Sequence, residues 1–195
     1  PDIDFYPQHM EDFVIDSPET RAKYDVIAFY NYQQDPALEG DSKFASAMKN
    51  VLGALGETDQ GIFMLHHSLT AFPGWQYWLD ICGMAVFDAS PKPGPMSRVS
   101  QNLRIEVVDP NHPITCGMAD WDMVDETYNM YDATEGSEVL LTTEHPECMR
   151  TIAWTRTHGK ARVFSLQSGH DDQTYSNPNF AAVVARGIQW AARRI

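Results

Sequence analysis

The chain has 195 residues, 43% of them hydrophobic, and a formal net charge of -13 from 27 acidic against 14 basic side chains. That length and composition suit one folded domain with a full core and exclude a disordered chain. The acidic balance repels phosphate backbones and anionic lipid heads, so neither nucleic acid nor a membrane surface is expected as a partner.

The first apolar run, Ile3–Tyr6 (IDFY), reads as a strand. It would be the second strand of a doubly wound sheet, with a native N-terminal strand and helix missing before it. Tyr24–Tyr30 (YDVIAFY) follows, continuously apolar as a strand covered on both faces should be. Residues 42–56 carry Phe44, Ala47, Met48, Val51, Leu52 and Leu55 at helical spacing, with Asp41 or Ser42 to cap the start and Gly56 the end. Gly61–His66 (GIFMLH) is a second buried strand, and Gly74–Cys82 a weaker helix. The proline-rich stretch Ser90–Ser97 (SPKPGPMS) is a loop. Leu103–Val108, Glu138–Thr143, Thr151–Arg156 and Ala161–Gln167 read as further strands, and Trp121–Tyr131 is strand-like. Asn177–Arg194 closes the chain as a helix with Pro178 in its first turn and a Phe180, Val183, Val184, Gly187, Ile188, Ala191 stripe. Strands alternating with helices predict a single α/β domain over residues 1–195 with a doubly wound, mostly parallel sheet.

The cysteines Cys82, Cys116 and Cys148 are odd in number, widely spaced and free of a CxxC pair, which points to buried thiols rather than disulfides or a zinc knuckle. No apolar run approaches the ~20 residues of a membrane span. The start PDIDFYPQHMEDF has no charged-then-apolar leader pattern, so a cytoplasmic protein is expected, although a leader already removed would leave the same sequence.

Ligands of open α/β sheets sit at the carboxyl ends of strands. Two strand ends carry polar clusters: His66, His67 and Ser68 after GIFML, and Gln167, Ser168, Gly169, His170, Asp171 and Asp172 after ARVFSL. Histidine suits proton transfer near neutral pH and zinc-like metals, and Asp171 or Asp172 could orient an imidazole. A divalent metal such as zinc therefore stays open, with His170 and one of His66 or His67 serving either as an acid/base pair or as its ligands. Adjacent His66 and His67 would point opposite ways in an extended strand, unless a turn begins at once. His112, before Pro113, reads first as a turn residue and second as a site residue. Glu126 and Tyr128 share one strand face and could point into a cleft. GxGxxG, GxxxxGK[ST], HExxH and GxSxG are all absent.

The ordered motifs YDVIAFY, GIFMLHHS, VVDPNHPIT, DETY, AWTRTHGKARVFSLQSGHD and NPNFAAVVARGIQWA resemble the ThuA-like (trehalose utilisation) family from about Tyr24 to Ala191. The resemblance implies a flavodoxin-like three-layer sandwich of the class I glutamine amidotransferase type. It also implies a link to trehalose and related keto-disaccharides. Amidotransferases of that fold carry a nucleophilic cysteine where this chain has His66, His67 and Ser68, with His170 at the place of the activating histidine. Without that thiol, glutamine hydrolysis is not expected. The expected site has His66, His67, His170 and Glu126 as catalytic groups, with Ser68, His112, Tyr128, Asp171 and Trp75 binding substrate. Trp75, Tyr77 and Trp78 could stack on sugar rings or simply pack. A small polar ligand, a sugar, is the expected partner, with hydrolase or isomerase-type chemistry. Whether the chain is an enzyme at all stays open, as does a homo-oligomer. The alternatives are a non-catalytic sugar-binding or interaction module and a degenerate amidotransferase partner.

Overall fold

A computed structural model describes residues 3–34, 43–85 and 90–195. After two short helices, α1 (Met10–Ile15) and α2 (Pro18–Arg21), the chain runs β1 (Val26–Phe29), α3 (Lys43–Gly53) and β2 (Gly61–Leu65). A 3₁₀ turn, His66–Thr70, leads to α4 (Gln76–Cys82). Then come β3 (Ser97–Val107), β4 (Trp121–Tyr128), β5 (Glu138–Thr142), β6 (Thr151–His158), β7 (Ala161–Leu166), α5 (Asp172–Tyr175) and α6 (Pro178–Ala191).

The seven strands form one sheet in the order β1-β2-β7-β6-β5-β3-β4. Only β1, β2 and β7 are mutually parallel; every other pairing is antiparallel. The sheet is mixed, which corrects the expectation of a mostly parallel one. The reason lies in the connections. A parallel pair needs a crossover of about a dozen residues or more, usually a helix. β6 and β7 are joined by Gly159 and Lys160 alone, with His158 opposite Ala161, and no helix separates β3 from β4 or β5 from β6.

Ile3–Tyr6 is not a strand: it has no ladder partner, and Phe5 and Tyr6 are 74% and 67% exposed. β1 is therefore an edge strand of the described sheet. β3 starts at Ser97 instead of Leu103, because its exposed polar first half is held by pairing with β4, a bond pattern that hydropathy does not register. α3 ends at Gly53, and Gly56, with φ +87°, closes the turn after it. The cap candidates Asp41 and Ser42 and the side chain of Phe44 lie outside the described residues.

The core is built on both faces of β7. Phe164 points at α6 and stacks on Phe63 with ring centroids 5.0 Å apart. The next residue, Ser165, turns its hydroxyl to the Cys82 carbonyl at the end of α4. Successive strand residues face opposite ways, so α4 and α6 cover opposite faces. Trp78 and Trp154 are fully buried, and each finds a carbonyl for its indole N–H, Ser68 at 2.8 Å and Cys82 at 2.8 Å. α6 carries the expected stripe, capped by the Asn177 side chain, which accepts from the N–H groups of Asn179 and Phe180.

Gly187 is where α6 meets the sheet: a Cβ there would collide with the ring of Phe164, which has no room to move at 0% exposure. Alanine would gain up to about 1 kcal/mol of helix propensity. Overpacking a filled core costs about 1–3 kcal/mol and wins. Gly187→Ala should lower the stability measured by urea unfolding by about 1–2 kcal/mol; an unchanged or raised midpoint would show that α6 can shift off β7.

Candidate metal and catalytic centre

Three chain segments meet at one rim. β2 and β7 run parallel and end there, at Leu65 and Leu166. β4 also runs toward it, and the sheet curls far enough to bring β4 back over the end of β7. Gln167 Nε2 donates to the Glu126 carbonyl at 2.9 Å, and Thr174 Oγ1 at the start of α5 donates to the Val124 carbonyl at 2.9 Å. The curl is possible because β3 pairs with β5 only at Glu106 and Val107, while its remaining length goes with β4 as a hairpin.

His66 begins the 3₁₀ turn with φ +50°, a left-handed conformation that costs a non-glycine residue about 1–2 kcal/mol. The sharp turn lifts the limit that an extended strand would impose. Instead of facing opposite ways, the His66 and His67 rings lie side by side, centroids 4.2 Å apart. His66 is wholly buried, and its Nδ1 lies 2.7 Å from the Gln167 carbonyl. A carbonyl can only accept, so Nδ1 carries the proton and donates it. Nε2 then turns inward, 3.1 Å from Glu126 Oε2 and 3.2 Å from the Tyr128 hydroxyl.

Glu126 and Tyr128, two apart on β4, share the inward face. Tyr128 Oη also lies 2.9 Å from His67 Nδ1. His170 brings its Nδ1 to 2.9 Å from Glu126 Oε2. One donor atom from each of His66, His67, Glu126 and His170 falls within 4.8 Å of all the others. Glu126 Oε2 thus lies within ion-pair distance of two imidazoles, His66 Nε2 at 3.1 Å and His170 Nδ1 at 2.9 Å. A carboxylate and three imidazole nitrogens this close repel one another unless a proton or a cation lies among them.

The electrostatics keep Glu126 ionised and His67 neutral at neutral pH. Burial opposes ionisation of Glu126, but contacts with His66 and Ser97 and the charges that His66 and His170 can carry outweigh it and hold the carboxyl at about 2. Burial, with His66 and His170 nearby, holds His67 down at about 4 against the pull of Glu126. Burial and then the carboxylates Glu126 and Asp125 push the Tyr128 phenol upward, so it stays protonated and can donate.

A cavity of about 350 Å³ opens beside the cluster. Its wall holds His67, Glu126 and Tyr128 together with Tyr32, Gln34, Thr70, Ser97 and the thioethers of Met96 and Met130, and no lysine or arginine among the described residues. Tyr32 and Tyr30 flank the His67 ring at 5.1 and 5.8 Å. Both tyrosines follow β1, where the strand-end rule could have found them; nothing in the sequence marks Ser97 or Met96.

The other expected residues sit elsewhere. Ser68 is buried behind the turn with no partner for its hydroxyl among the described residues. His112 lies in the turn after β3, which runs antiparallel to the strands ending at the rim. Its Nδ1 accepts from the Ile114 N–H and its ring packs on Trp190 at 5.5 Å. Asp171 caps α5 by accepting from Gln173 and Thr174 N–H. Trp75 packs among Phe72, Tyr77 and Trp78. Cys82 is fully buried on α4, with burial pushing its thiol upward, which excludes it as a nucleophile.

The family comparison matches this architecture. A model of the ThuA family, described as trehalose utilisation, matches residues 8–191. The chain belongs to the ThuA family. Among solved structures, a ThuA-like protein from Parabacteroides merdae is 20% identical, with a TM-score of 0.66 over 95% of this chain and 75% of its own. A ThuA-like protein from Bacteroides uniformis is 20% identical with a TM-score of 0.69, covering 92% and 74%. A cytoplasmic protein from Salmonella typhimurium LT2 is 15% identical, with a TM-score of 0.59 over 90% and 72%. Among curated proteins none matches this sequence. No helix among the described residues is long and apolar enough to cross a membrane.

The pH dependence of stability follows from His67. Unfolded, it titrates near 6.5; folded, near 4. Between these values the unfolded chain binds more protons, so stability rises with pH. The His67 contribution should be complete above pH 6.5 and decline as pH falls toward 4. Urea midpoints of metal-free protein, measured from pH 4 to 7, should show this slope, and His67→Gln should flatten it.

Proposed function

We propose that this ThuA-family protein is a metal-dependent enzyme acting on a neutral sugar or keto-sugar, with His66, His67, Glu126 and His170 as the metal's ligand set. One observation carries the reading: one donor atom from each of His66, His67, Glu126 and His170 lies within 4.8 Å of all the others, with Glu126 Oε2 2.9 Å from His170 Nδ1 and 3.1 Å from His66 Nε2. Donor atoms bound to a tetrahedral zinc at ~2.0–2.1 Å sit about 3.3 Å from one another, near the 3.1 and 2.9 Å from Glu126 Oε2 to His66 Nε2 and His170 Nδ1. Imidazole and carboxylate together suit zinc and its first-row neighbours. A cation held there would polarise a substrate carbonyl or acidify a bound water or hydroxyl.

The chain's own groups have distinct duties in this scheme. His66 is fixed by its bond to the Gln167 carbonyl, the usual way a ligating imidazole is oriented. Tyr128 keeps its proton; its hydroxyl lies against His67 Nδ1 and His66 Nε2 at 2.9 and 3.2 Å, and with those nitrogens engaged by an ion it would donate to a ligand oxygen in the cavity. Glu126 balances charge. The cavity's lack of cationic side chains favours an uncharged polyhydroxyl ligand over a sugar phosphate, and the family description, trehalose utilisation, supports the same class. Tyr30 and Tyr32 offer ring faces beside His67, replacing Trp75 as candidates for stacking. Hydrolysis and isomerisation both fit this set of groups. Glutamine hydrolysis through a thioester does not, because the strained elbow residue is His66.

Elemental analysis by mass spectrometry tests the reading. Wild-type protein should hold close to one equivalent of a divalent transition metal, and His170→Ala and Glu126→Gln should lose it while remaining folded. No metal in wild type after incubation with zinc, manganese or cobalt would overturn the proposal. Binding across a panel of neutral sugars and keto-sugars without turnover would identify a sugar-binding module instead.

A further inference from the structure

We infer that Asp125, which faces away from the cavity, is the positioning residue that sets Glu126 and His170 relative to each other; the inference deepens the metal-centre reading above. Asp125 is 1% exposed, and its carboxylate accepts three main-chain N–H bonds. Oδ1 takes those of Glu126 at 2.8 Å and His170 at 3.1 Å, and Oδ2 takes that of Gly169 at 3.0 Å. One carboxylate therefore ties β4 to the loop after β7, two segments that share no strand ladder, and does so through the backbones of two proposed ligands.

The loop is gripped from its other side as well. The Tyr30 hydroxyl donates to the Gly169 carbonyl at 3.1 Å. Gly169 has φ +131°, and a Cβ there would press on Leu65 at 3.2 Å and on His66 at 3.4 Å. With the amide and carbonyl of Gly169 and the amide of His170 all held, the loop carries the His170 ring to 5.6 Å from the His66 ring and 2.9 Å from Glu126 Oε2. Asparagine would keep the volume of Asp125 but not its function. An amide offers one accepting oxygen, and its NH₂ would be turned against a main-chain N–H.

The test compares wild type, Asp125→Asn and Gly187→Ala, the last serving as a destabilised control away from the centre. Two readouts are used: Co²⁺ affinity with the visible spectrum of the bound ion, and, in metal-free protein, the NMR cross-peak between the ring protons of His66 and His170. Groups that orient metal ligands change affinity ~10–100-fold when replaced. Asp125→Asn should weaken Co²⁺ by that factor, alter its spectrum and lose the cross-peak, while Gly187→Ala leaves all three unchanged. A retained cross-peak in Asp125→Asn overturns the inference whatever the affinity. Absence of Co²⁺ binding by wild type overturns the metal reading alone, and the cross-peak still decides the role of Asp125. Should Asp125→Asn not fold, Asp125→Ser, which removes the opposed NH₂, carries the same readouts.

Discussion

A carboxylate buried between two imidazoles governs the architecture of this molecule. Glu126 is 6% exposed, and an isolated charge in such a place costs several kcal/mol even after relaxation. It is compensated only if His66 and His170 arrive at 3.1 and 2.9 Å from the same oxygen. Those residues belong to the ends of β2, β4 and β7, far apart in the chain. The curl of the sheet, the β3–β4 hairpin and the clamps on the loop after β7 all serve that meeting. A ligand set so distributed forms only with the tertiary fold, so an ion bound there would stabilise the folded state and depend on it.

The backbone carries part of the cost. His66 sits in a left-handed conformation worth about 1–2 kcal/mol of strain, offset by a buried 2.7 Å bond to the Gln167 carbonyl and by stacking on Tyr128 at 5.0 Å. The strain has a geometric return. It places two consecutive imidazoles on one side of the chain, which a regular strand cannot do. The same bend buries Ser68 and turns its carbonyl to Trp78, so the turn is locked to the hydrophobic core through α4. Chemistry at the rim and packing beneath it are thereby coupled.

Much of this was legible from the residues. Continuous apolar runs marked β1, β2 and β7, and helical spacing with Asn177 and Pro178 marked α6, because burial on both faces and capping leave local signatures. Glu126 and Tyr128 on one face of β4 followed from the period of a strand. The mixed sheet was less accessible, although the two-residue Gly159–Lys160 connection signals a hairpin and excludes a crossover there. Ile3–Tyr6 has strand-like hydropathy but no partner strand, and pairing is not a local property. Trp75, Tyr77 and Trp78 were ambiguous between packing and ligand binding; Trp78 is buried against Phe29 and Phe72, a packing role that its own residue order did not reveal.

By itself the sequence determined the family, the α/β class, the strand ends rich in histidine and the lack of a nucleophilic cysteine at the elbow, since each is a matter of local residue order. Tertiary structure decided which of those polar residues meet. His112 and Asp171 went to a turn and a helix cap, while Asp125, Gln167, Tyr30 and Tyr32 joined the surroundings of the centre. The physical reason is that convergence depends on sheet curl, strand direction and one residue's positive φ, all set by long-range hydrogen bonding and packing that no short stretch of chain encodes.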